Sequence, residues 1–374
     1  MTRALRCLVA AALVALPATA SAQNVSGRAS VLFESYKFDP GLVFNKVAEM
    51  TVPIGVDIGL GRAGTFSLAS GYANVKLTSA SQQLSNQSVT GMLDTEGRLS
   101  LSVVPGKLIA LLTGTMPTGT KTVDVEQLAV LGAISSDVIG FSASSLGSGG
   151  NVGGGFVAAI PAGKFALGLG ATYKLPLQYT PVTSASPLQP GAEMRFRGGL
   201  EGSVGPKTYL RFAGIVARSS QDKVGGSLRN GVGTRMIGYL SLNQGVGKAS
   251  ITLYGFDVLR GSPQIEQTAV GAALLPKGNL IAGGFRADIT AARRTIISPR
   301  FEYRISAAAA DTLAGAALQR LGSSARFGVD LRQSLSRNFA AILQGGGVTG
   351  NVVQSGDNVP FKGFRAALQL EYTP

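Results

Sequence analysis

The chain contains no histidine and no tryptophan, and only 14% of its 374 residues are Asp, Glu, Lys or Arg. Without an imidazole it cannot build a Ser-His-Asp triad, a Cys-His nucleophile pair or a zinc site with histidine ligands. It also lacks the side chain whose ordinary pKa lies nearest neutrality. We therefore expect no enzyme, no cofactor and no metal site, although carboxylate or lysine chemistry stays open.

The single cysteine, Cys7, lies in a segment with the composition of a secretory signal peptide. Two arginines precede an apolar run from Leu8 to Leu16, and small residues at 20–22 precede the expected cleavage before Gln23. The alternative is an uncleaved anchor, but the run is about half of the roughly 20 residues that a spanning helix needs. We expect residues 23–374 to form a single exported domain without disulfides or thiolate metal sites.

Apolar residues alternate with polar or small ones in segments of about ten residues, separated by Gly and Pro turns. The apolar positions of four segments are Met50, Val52, Ile54, Val56, Ile58 and Leu60; Phe165, Leu167, Leu169, Ala171, Tyr173 and Leu175; Met194, Phe196, Leu200 and Val204; and Ala325, Phe327, Val329, Leu331 and Leu335. Period-two alternation in such segments is typical of a membrane-spanning β-barrel. A soluble β-sandwich or β-helix would alternate in the same way with its apolar face inward.

The connections between these segments alternate in length. The tight ones are at 61–64, 105–107, 161–164, 205–207, 247–248, 276–278 and 336–338, and the long ones lie near 37–46, 78–95, 117–150, 176–190, 218–232, 306–322 and 349–360. This asymmetry, with no fixed repeat period, favours the barrel. We predict an all-β, antiparallel up-and-down barrel of about 16 strands (14–16), with both ends on the side of the tight turns. We interpret Leu280–Ile289 and Ile296–Ile305 as one passage that bulges near residues 292–294.

The C-terminal residues alternate almost to the end of the chain. Phe364, Ala366, Leu368, Leu370 and Tyr372 face one way, and Arg365, Ala367, Gln369 and Glu371 face the other. This pattern resembles the terminal strand of bacterial outer-membrane β-barrels, whose alternating residues and closing aromatic are read by the assembly machinery. The Thr373-Pro374 tail departs from the family, which usually ends on the aromatic itself. The resemblance implies a location in the outer membrane of a Gram-negative-type bacterium, with the lipid bilayer and the barrel-assembly machinery as partners.

If the apolar faces contact lipid, the opposite faces line a lumen that is rich in arginine. The lumen positions are Arg98, Arg195, Arg197, Arg211, Arg286, Arg300, Arg304, Arg326, Arg332 and Arg365, with Asp57, Glu201, Asp288, Glu302, Asp330 and Glu371. Ten cations against six anions favour the passage of anions, because rings of charged side chains set ion selectivity in pores. The alternative is a self-neutralising network that hydrates and stiffens the wall.

The N-terminal half of the lumen wall is nearly free of side chains. Its positions are Gly55, Gly59, Ser67, Ala69, Gly71, Gly153, Gly155, Ala159, Ala166, Gly168 and Gly170. Small residues in strands indicate the close approach of another backbone or a ligand. The candidate is the longest insertion, residues 120–150, in which apolar residues at helix-like spacing over 125–141 predict a short helix that folds inward or caps the mouth. Two further strands are the alternative.

Two short motifs carry a more specific resemblance. Met116-Pro117-Thr118-Gly119-Thr120 follows a strand, and Leu146-Gly147-Ser148-Gly149-Gly150 opens a Gly-rich hairpin. Together they resemble the outer-membrane proteins of aromatic-degradation pathways, distant relatives of the long-chain fatty-acid transporters. This resemblance covers residues 110–175 and implies passive uptake of hydrophobic small molecules through a plugged barrel.

The sequence thus predicts a passive outer-membrane channel or transporter for small solutes that favours anions. Uptake of hydrophobic molecules and a non-conducting structural barrel are the alternatives. The cations are dispersed along the chain rather than clustered, so we expect no nucleic-acid partner. Nothing in the spacing brings two carboxylates such as Glu201 and Asp288 together for glycosidase chemistry.

Overall fold

The computed structural model describes residues 25–80, 85–263, 277–309, 317–354 and 356–374. The predicted signal peptide, residues 1–22, lies outside the described residues. The strands are β1 (Val25–Phe38), β2 (Phe44–Gly59), β3 (Gly64–Ser79), β4 (Gln87–Met92), β5 (Thr95–Val104), β6 (Leu108–Met116), β7 (Asn151–Ala162), β8 (Phe165–Pro176), β9 (Leu188–Gln189), β10 (Glu193–Gly205), β11 (Thr208–Ser219), β12 (Gln221–Val224), β13 (Ser227–Gly231), β14 (Arg235–Val246), β15 (Ala249–Arg260), β16 (Gly278–Ala292), β17 (Thr295–Ala309), β18 (Leu318–Ser334), β19 (Phe339–Gln354) and β20 (Asp357–Tyr372). The helical residues are two 3-10 turns, Gly61–Ala63 and Val125–Gln127, and one α-helix, α1 (Leu128–Ile134).

Seventeen of these strands form one closed antiparallel sheet. Strand β1 pairs with β2 on one side and with β20 on the other, which closes the barrel. Strands β4 and β5 both pair with β3 and are two parts of one passage, interrupted at Leu93 and Asp94. The barrel therefore has sixteen passages, and the predicted all-β, up-and-down barrel of about 16 strands is confirmed.

The apolar faces predicted from the sequence form the outer surface of the barrel. Phe156 and Phe327 are 57% and 58% exposed, and Leu112 and Leu343 are both 56% exposed. A soluble β-sandwich would bury such side chains against a second sheet. The outer surface is instead apolar around the circumference. Among the described residues, no helix is both long and apolar enough to cross a membrane.

Seven tight connections lie at the end of the barrel where β1 starts and β20 finishes. Six of them fall at or within one residue of the predicted positions, and Gly163 (φ 63°) and Gly247 (φ 58°) supply the left-handed conformation that two of these turns need. Each carries at least one Lys or Arg and no carboxylate. Their cations are Arg62, Lys107, Lys164, Lys207, Lys248, Arg293, Arg294 and Arg337.

The interpretation of residues 279–305 as one bulged passage is wrong. Residues 278–292 and 295–309 are two strands, β16 and β17, and they pair with each other across the tight turn Arg293-Arg294. The predicted tight turn at 276–278 is wrong as well, because Gly278 begins β16 at the opposite, long-loop end; Pro276 lies outside the described residues. The predicted number of strands is still correct, because the tight turn at Arg293-Arg294 replaces the one predicted at 276–278 and does not add to it.

Several predicted long loops are partly strand. Strand β19 continues to Gln354 and β20 begins at Asp357, so most of the predicted loop near 349–360 is paired sheet. Beyond the barrel, β9, β12 and β13 form a separate three-stranded sheet from the connections that follow β8 and β11. At the loop end, the paired strands β19 and β20 thus continue beyond the predicted wall, whereas the connections after β8 and β11 form a small sheet of their own.

The longest connection, residues 117–150, folds into the lumen and forms a core with the wall. From this segment Val130, Ile134, Val138 and Phe141 are buried. The wall residues in this core are Tyr36, Phe38, Val47, Ala73, Val75, Leu77, Val89, Val348, Val359 and Phe361. We call residues 117–150 the inward segment. Its predicted helix is confirmed but shorter than 125–141, since α1 ends at Ile134.

Candidate functional site

Cross-strand register defines which side chains face the lumen. Tyr36 of β1 packs on Phe141 of the inward segment, with ring centroids 4.9 Å apart, so the face of β1 that carries Tyr36 is the inner one. Directly paired residues lie on the same face of a sheet. Following the pairs strand by strand from Tyr36 assigns the inner face around the whole barrel.

Every charged residue predicted to line the lumen lies on this inner face. The structure places there Arg195, Arg197, Arg211, Arg286, Arg300, Arg304, Arg326, Arg332 and Arg365, together with Arg98, Asp57, Glu201, Asp288, Glu302, Asp330 and Glu371. Their contribution to ion selectivity stays a prediction. The predicted lumen set did not include further charges on the same face, among them Arg28, Lys174, Arg235, Arg260, Glu34, Glu49, Glu96 and Glu193.

The arginines of β16 to β18 are held in a network of ion pairs. Arg286 lies 2.7 Å from Asp288 and 3.3 Å from Asp330, which is 3.4 Å from Arg300. Ser298 donates to Asp288 at 2.6 Å. Asp330 is nearly fully buried, so its charge depends on these guanidinium groups. This part of the wall matches the self-neutralising alternative.

Two other arginines of the wall are also paired with carboxylates. Arg304 lies 2.5 Å from Glu302, which also accepts from the Tyr254 hydroxyl at 2.9 Å. Arg332 pairs with Glu371 across the β18–β20 side of the wall. Because each of these guanidinium groups already has a carboxylate, it contributes little net charge to a passing solute.

Three predicted arginines, Arg98, Arg197 and Arg326, form no ion pair among the described residues. In Arg197 and Arg326 the Nε atom is also buried without a hydrogen-bond acceptor. Arg326 donates through Nη2 to the backbone oxygen of Gly140, at 3.1 Å. A buried donor without a partner costs free energy unless a ligand or water meets it. These two guanidinium groups therefore each have a donor free to meet a negative group in the lumen.

Each of the two lies beside a cavity. Arg326 lines a cavity of about 190 Å³ with Tyr36, Tyr254, Arg300 and Arg365, under the inward segment. Arg197 borders a depression of about 310 Å³ in the wall of β7, β8, β10 and β11, which also contains Arg211. Both cavities present guanidinium donors, the groups that bind carboxylate and phosphate oxygens, and each also contains one carboxylate, Glu302 or Glu201.

Glycines of the wall make room for arginine side chains. A Cβ at Gly170 would lie 2.8 Å from Cγ of Arg197, one at Gly55 would lie 3.1 Å from Nε of Arg28, and one at Gly328 would lie 3.1 Å from Nε of Arg300. The smooth strip predicted from the sequence exists. At Gly55 and Gly170 the atoms nearest to an added Cβ belong to arginines rather than to residues 120–150, whereas Ala69 lines a cavity together with residues 142–148.

Two buried glutamates anchor the inward segment to the wall. Glu34 and Glu49, both 0% exposed, face each other across β1 and β2. The Ser142 hydroxyl donates to Glu34 at 2.6 Å and the Ala143 amide donates to Glu49 at 2.8 Å. Arg365 lies 3.3 Å from Glu34. Arg365 thus pairs with Glu34, while Glu49 is held by the Ala143 amide and its Oε2 atom has no hydrogen-bond partner among the described residues.

The inward segment also reaches the far side of the lumen. The Ser324 hydroxyl donates to the Val138 oxygen at 2.7 Å, and Arg260 of β15 lies 3.4 Å from Asp137. Gly140 lies between Arg304 and Arg326, and a Cβ there would be 2.2 Å from Nη1 of Arg304. The segment therefore covers the wall from β3 back through β1 and β20 to β15.

The interrupted passage holds the two ends of the inward segment together. Asp94, between β4 and β5, accepts from the Gly119 amide at 3.0 Å and from the Ser148 amide at 2.7 Å. A third cavity, of about 280 Å³, opens beside this junction and is lined by Ala69, Glu96 and residues 142–148. It is polar, so it offers no apolar groove to a hydrophobic ligand.

No group of three or more Asp, Glu, His or Cys residues within the described part of the chain is placed to hold a metal ion. No protein-family model matches the sequence, and no curated protein matches it.

Several solved structures are similar to this chain. OmpT of Vibrio cholerae, an outer membrane protein, in a loop-deletion mutant, shares 10% identity over 93% of this chain and 99% of its own, with a TM-score of 0.43. OpdR of Pseudomonas aeruginosa shares 14% identity over 93% and 95%, with a TM-score of 0.47. A bacterial polysaccharide outer membrane secretin shares 8% identity over 94% and 99%, with a TM-score of 0.48. At such identities the similarity is one of fold and says nothing about solutes.

Proposed function

We propose that this protein is a passive outer-membrane channel for small anionic solutes. The location rests on the outer surface, where large apolar side chains such as Phe156, Phe327 and Leu343 are more than half exposed. An apolar exterior around a closed barrel requires lipid, because a soluble protein would not expose so large an apolar area to water. The signal-peptide pattern at residues 1–22 supports export.

The observation that carries the anion preference is the pair of uncompensated arginines. Arg197 and Arg326 lie on opposite parts of the wall, each beside a cavity and without a carboxylate partner in the described residues. Most other lumen arginines named above are neutralised by ion pairs. We therefore assign the preference to the lumen arginines that form no ion pair, and first to these two, rather than to the total arginine excess.

The two alternative functions have less support. Uptake of hydrophobic molecules needs an apolar pocket at the inward segment, but the cavities beside the segment contain Arg326, Arg365, Asp94 and Glu96, while its apolar side chains pack on the wall. A closed structural barrel would satisfy its lumen charges internally, and Arg197 and Arg326 are not satisfied in this way.

The test is the conductance of the purified mature chain in a planar bilayer, with the reversal potential measured under a salt gradient. We expect stepwise openings and a reversal potential that indicates anion preference. A folded, inserted protein that never conducts would contradict the channel and favour the structural barrel. Conductance with cation preference would contradict the role assigned to the arginines.

The matched variants are Arg197→Glu with Arg326→Glu, and Arg195→Glu with Arg332→Glu. The first pair removes two uncompensated charges, so the ratio of anion to cation permeability should fall several-fold. The second pair has carboxylate partners, Glu193 and Glu371, and should change the ratio less. Equal effects would mean that selectivity follows the total charge.

We also propose that the barrel-assembly machinery recognises the C-terminal strand. Strand β20 exposes Phe364 and Leu368 on its outer face, the pattern that assembly machinery would read. We propose no enzymatic activity: among the described residues, the neighbouring carboxylates Asp288 and Asp330, and Glu34 and Glu49, are held by arginines or by the inward segment, which does not suit acid-base chemistry.

A further inference from the structure

Four lysines form a cluster on the outer surface of the barrel, at the end opposite the tight turns. Lys37 of β1 is directly paired with Lys46 of β2 and with Lys362 of β20. Lys76 of β3 is paired with Ala48, two residues along from Lys46. All four are exposed and lie on the face opposite to the lumen residues Tyr36, Val47 and Val75. We call these four residues the outer lysine patch.

The patch has no neutralising partner among the described residues. None of the four lysines forms an ion pair or a side-chain hydrogen bond there. Near the patch, the one described carboxylate on the same face is Asp39, two residues after Lys37, and it makes no ion pair with the patch. Like charges directly opposite each other destabilise a sheet. Three paired lysines on adjacent strands are therefore explained by an external group that carries several negative charges.

An apolar surface lies directly below the patch, toward the middle of the barrel. Phe33 of β1 and Phe364 of β20 are 40% and 50% exposed, and their ring centroids are 5.7 Å apart. Leu368, 51% exposed, continues this surface. A ligand that joins phosphates to acyl chains would place its charges on the lysines and its chains on these side chains.

We propose that the outer lysine patch binds a glycolipid whose headgroup carries at least two phosphates, in the leaflet at the loop end of the barrel. The proposal rests on the outer-membrane location proposed above. A single phosphate would not need four cations on adjacent strands. The cations of the tight turns provide a contrast, because they are spread one or two to a turn around the other rim and suit separate phospholipids.

The experiment measures binding of diphosphorylated lipid A to the full mature chain, folded in non-ionic detergent with a chelator present. Changing the four patch lysines to Gln should weaken binding by about tenfold or more, since each lysine at an anionic lipid surface contributes on the order of fivefold. The control changes Lys107, Lys164, Lys207 and Lys248 of the tight turns to Gln. It removes the same charge and should weaken binding by less than about twofold.

Two further probes identify the ligand chemistry. Monophosphorylated lipid A should bind the wild-type chain several-fold more weakly, and inorganic phosphate should compete poorly. Equal losses in the two lysine variants, or equal binding of both lipids, would overturn the proposal. Competition by phosphate alone would overturn it in favour of a simple anion site. Conductance is measured separately on the same variants, so a chain that binds the lipid without conducting would contradict the channel and leave this site standing.

Discussion

The two sides of the lumen wall differ in how far their charged side chains are buried and paired. On the side covered by the inward segment, from β15 through β20 to β3, most charges are buried and paired; Glu34 is fully buried beside Arg365, whereas Arg326 donates to the backbone oxygen of Gly140 instead. On the uncovered side, around β7 to β11, the wall is glycine-rich; Arg211 and Glu201 are 3.6 Å apart and half exposed, and Arg195 lies 2.5 Å from Glu193. Arg197 there has no partner among the described residues.

This difference suggests a distinction between charges that hold the wall together and charges that are free to meet a solute. Where the inward segment excludes water, an unpaired charge is costly, so most arginines are matched with carboxylates, and Arg326 donates to the Gly140 carbonyl. Where water reaches the wall, an exposed pair contributes little and an unpaired guanidinium is tolerated. If the protein is a channel, as proposed, we expect solutes to pass along the uncovered side, beside Arg197, with the covered side narrowing the route.

Removal of the inward segment should produce the largest effect. A Cβ at Gly147 would lie 2.9 Å from the carbonyl carbon of Thr120, so residues 121–146 can be deleted and the ends joined directly. We expect single-channel conductance to rise several-fold, because both sides of the wall would then face water. Unchanged conductance in a chain that still shows heat-dependent gel migration would mean that the segment lies outside the ion path.

Loss of a buried carboxylate should affect stability far more than loss of an exposed one. Glu34→Ala leaves Arg365 without its partner and removes the acceptor of Ser142, so the free energy of unfolding should fall by about 3–5 kcal/mol. Glu201→Ala on the uncovered side should cost less than about 1 kcal/mol. Denaturant unfolding in lipid vesicles measures both, and similar losses would remove the distinction between the two sides.

A methyl group on the smooth wall should displace an arginine. Gly170→Ala places a Cβ 2.8 Å from Cγ of Arg197 and 3.2 Å from the Phe156 oxygen, which should cost about 1–3 kcal/mol and alter the reversal potential. The control is Gly198→Ala on the outer face of the next strand, where the nearest atom is 3.8 Å away. A change in stability without a change in selectivity would show that Arg197 does not meet the solute.

The smallest effect should come from the helix of the inward segment. Gly132 lies inside α1, and a Cβ there meets nothing within 4 Å. Gly132→Ala should raise the free energy of unfolding by about 0.5–1 kcal/mol, because alanine favours the helix. Gly106→Ala has the same free space but a φ of 70°, and it should destabilise instead. Denaturant midpoints that shift in the same direction would contradict this reasoning.

The alternation of apolar and polar residues predicted the parts of the fold in which one face of a strand contacts lipid and the other faces the lumen. Lipid on one side and lumen on the other impose strict alternation, and this is why Phe327, Arg326 and their neighbours were assigned to the correct faces. The turn between β16 and β17 was missed because Arg293-Arg294 contains no Gly or Pro, whereas Pro276-Lys277-Gly278 has the composition of a turn. Turn composition is a weaker signal than the alternation on either side of it.

The anchoring glutamates were missed for a different reason. Strand β1 has apolar residues on both faces, Phe33 outside and Tyr36 and Phe38 inside, because its inner face packs on the inward segment. Alternation is lost where a strand is covered on both sides. A strand without alternation beside Glu34 and Glu49 was the available signal for a covered wall. Which residues of the segment meet them depends on its path, which spacing alone does not determine.

The pairing of β1 with β20 makes the order of the strands in the chain arbitrary. Gly27 is paired with Tyr372, so the outermost strands are neighbours like any other two. A circular permutant that links them and opens the chain at the exposed turn Gly225-Gly226, between β12 and β13, would keep every barrel pairing. Its assembly would also begin from a different strand. A comparison of the permutant with the natural chain would therefore show whether folding depends only on the strand pairings of the finished barrel or also on the order in which the strands are made.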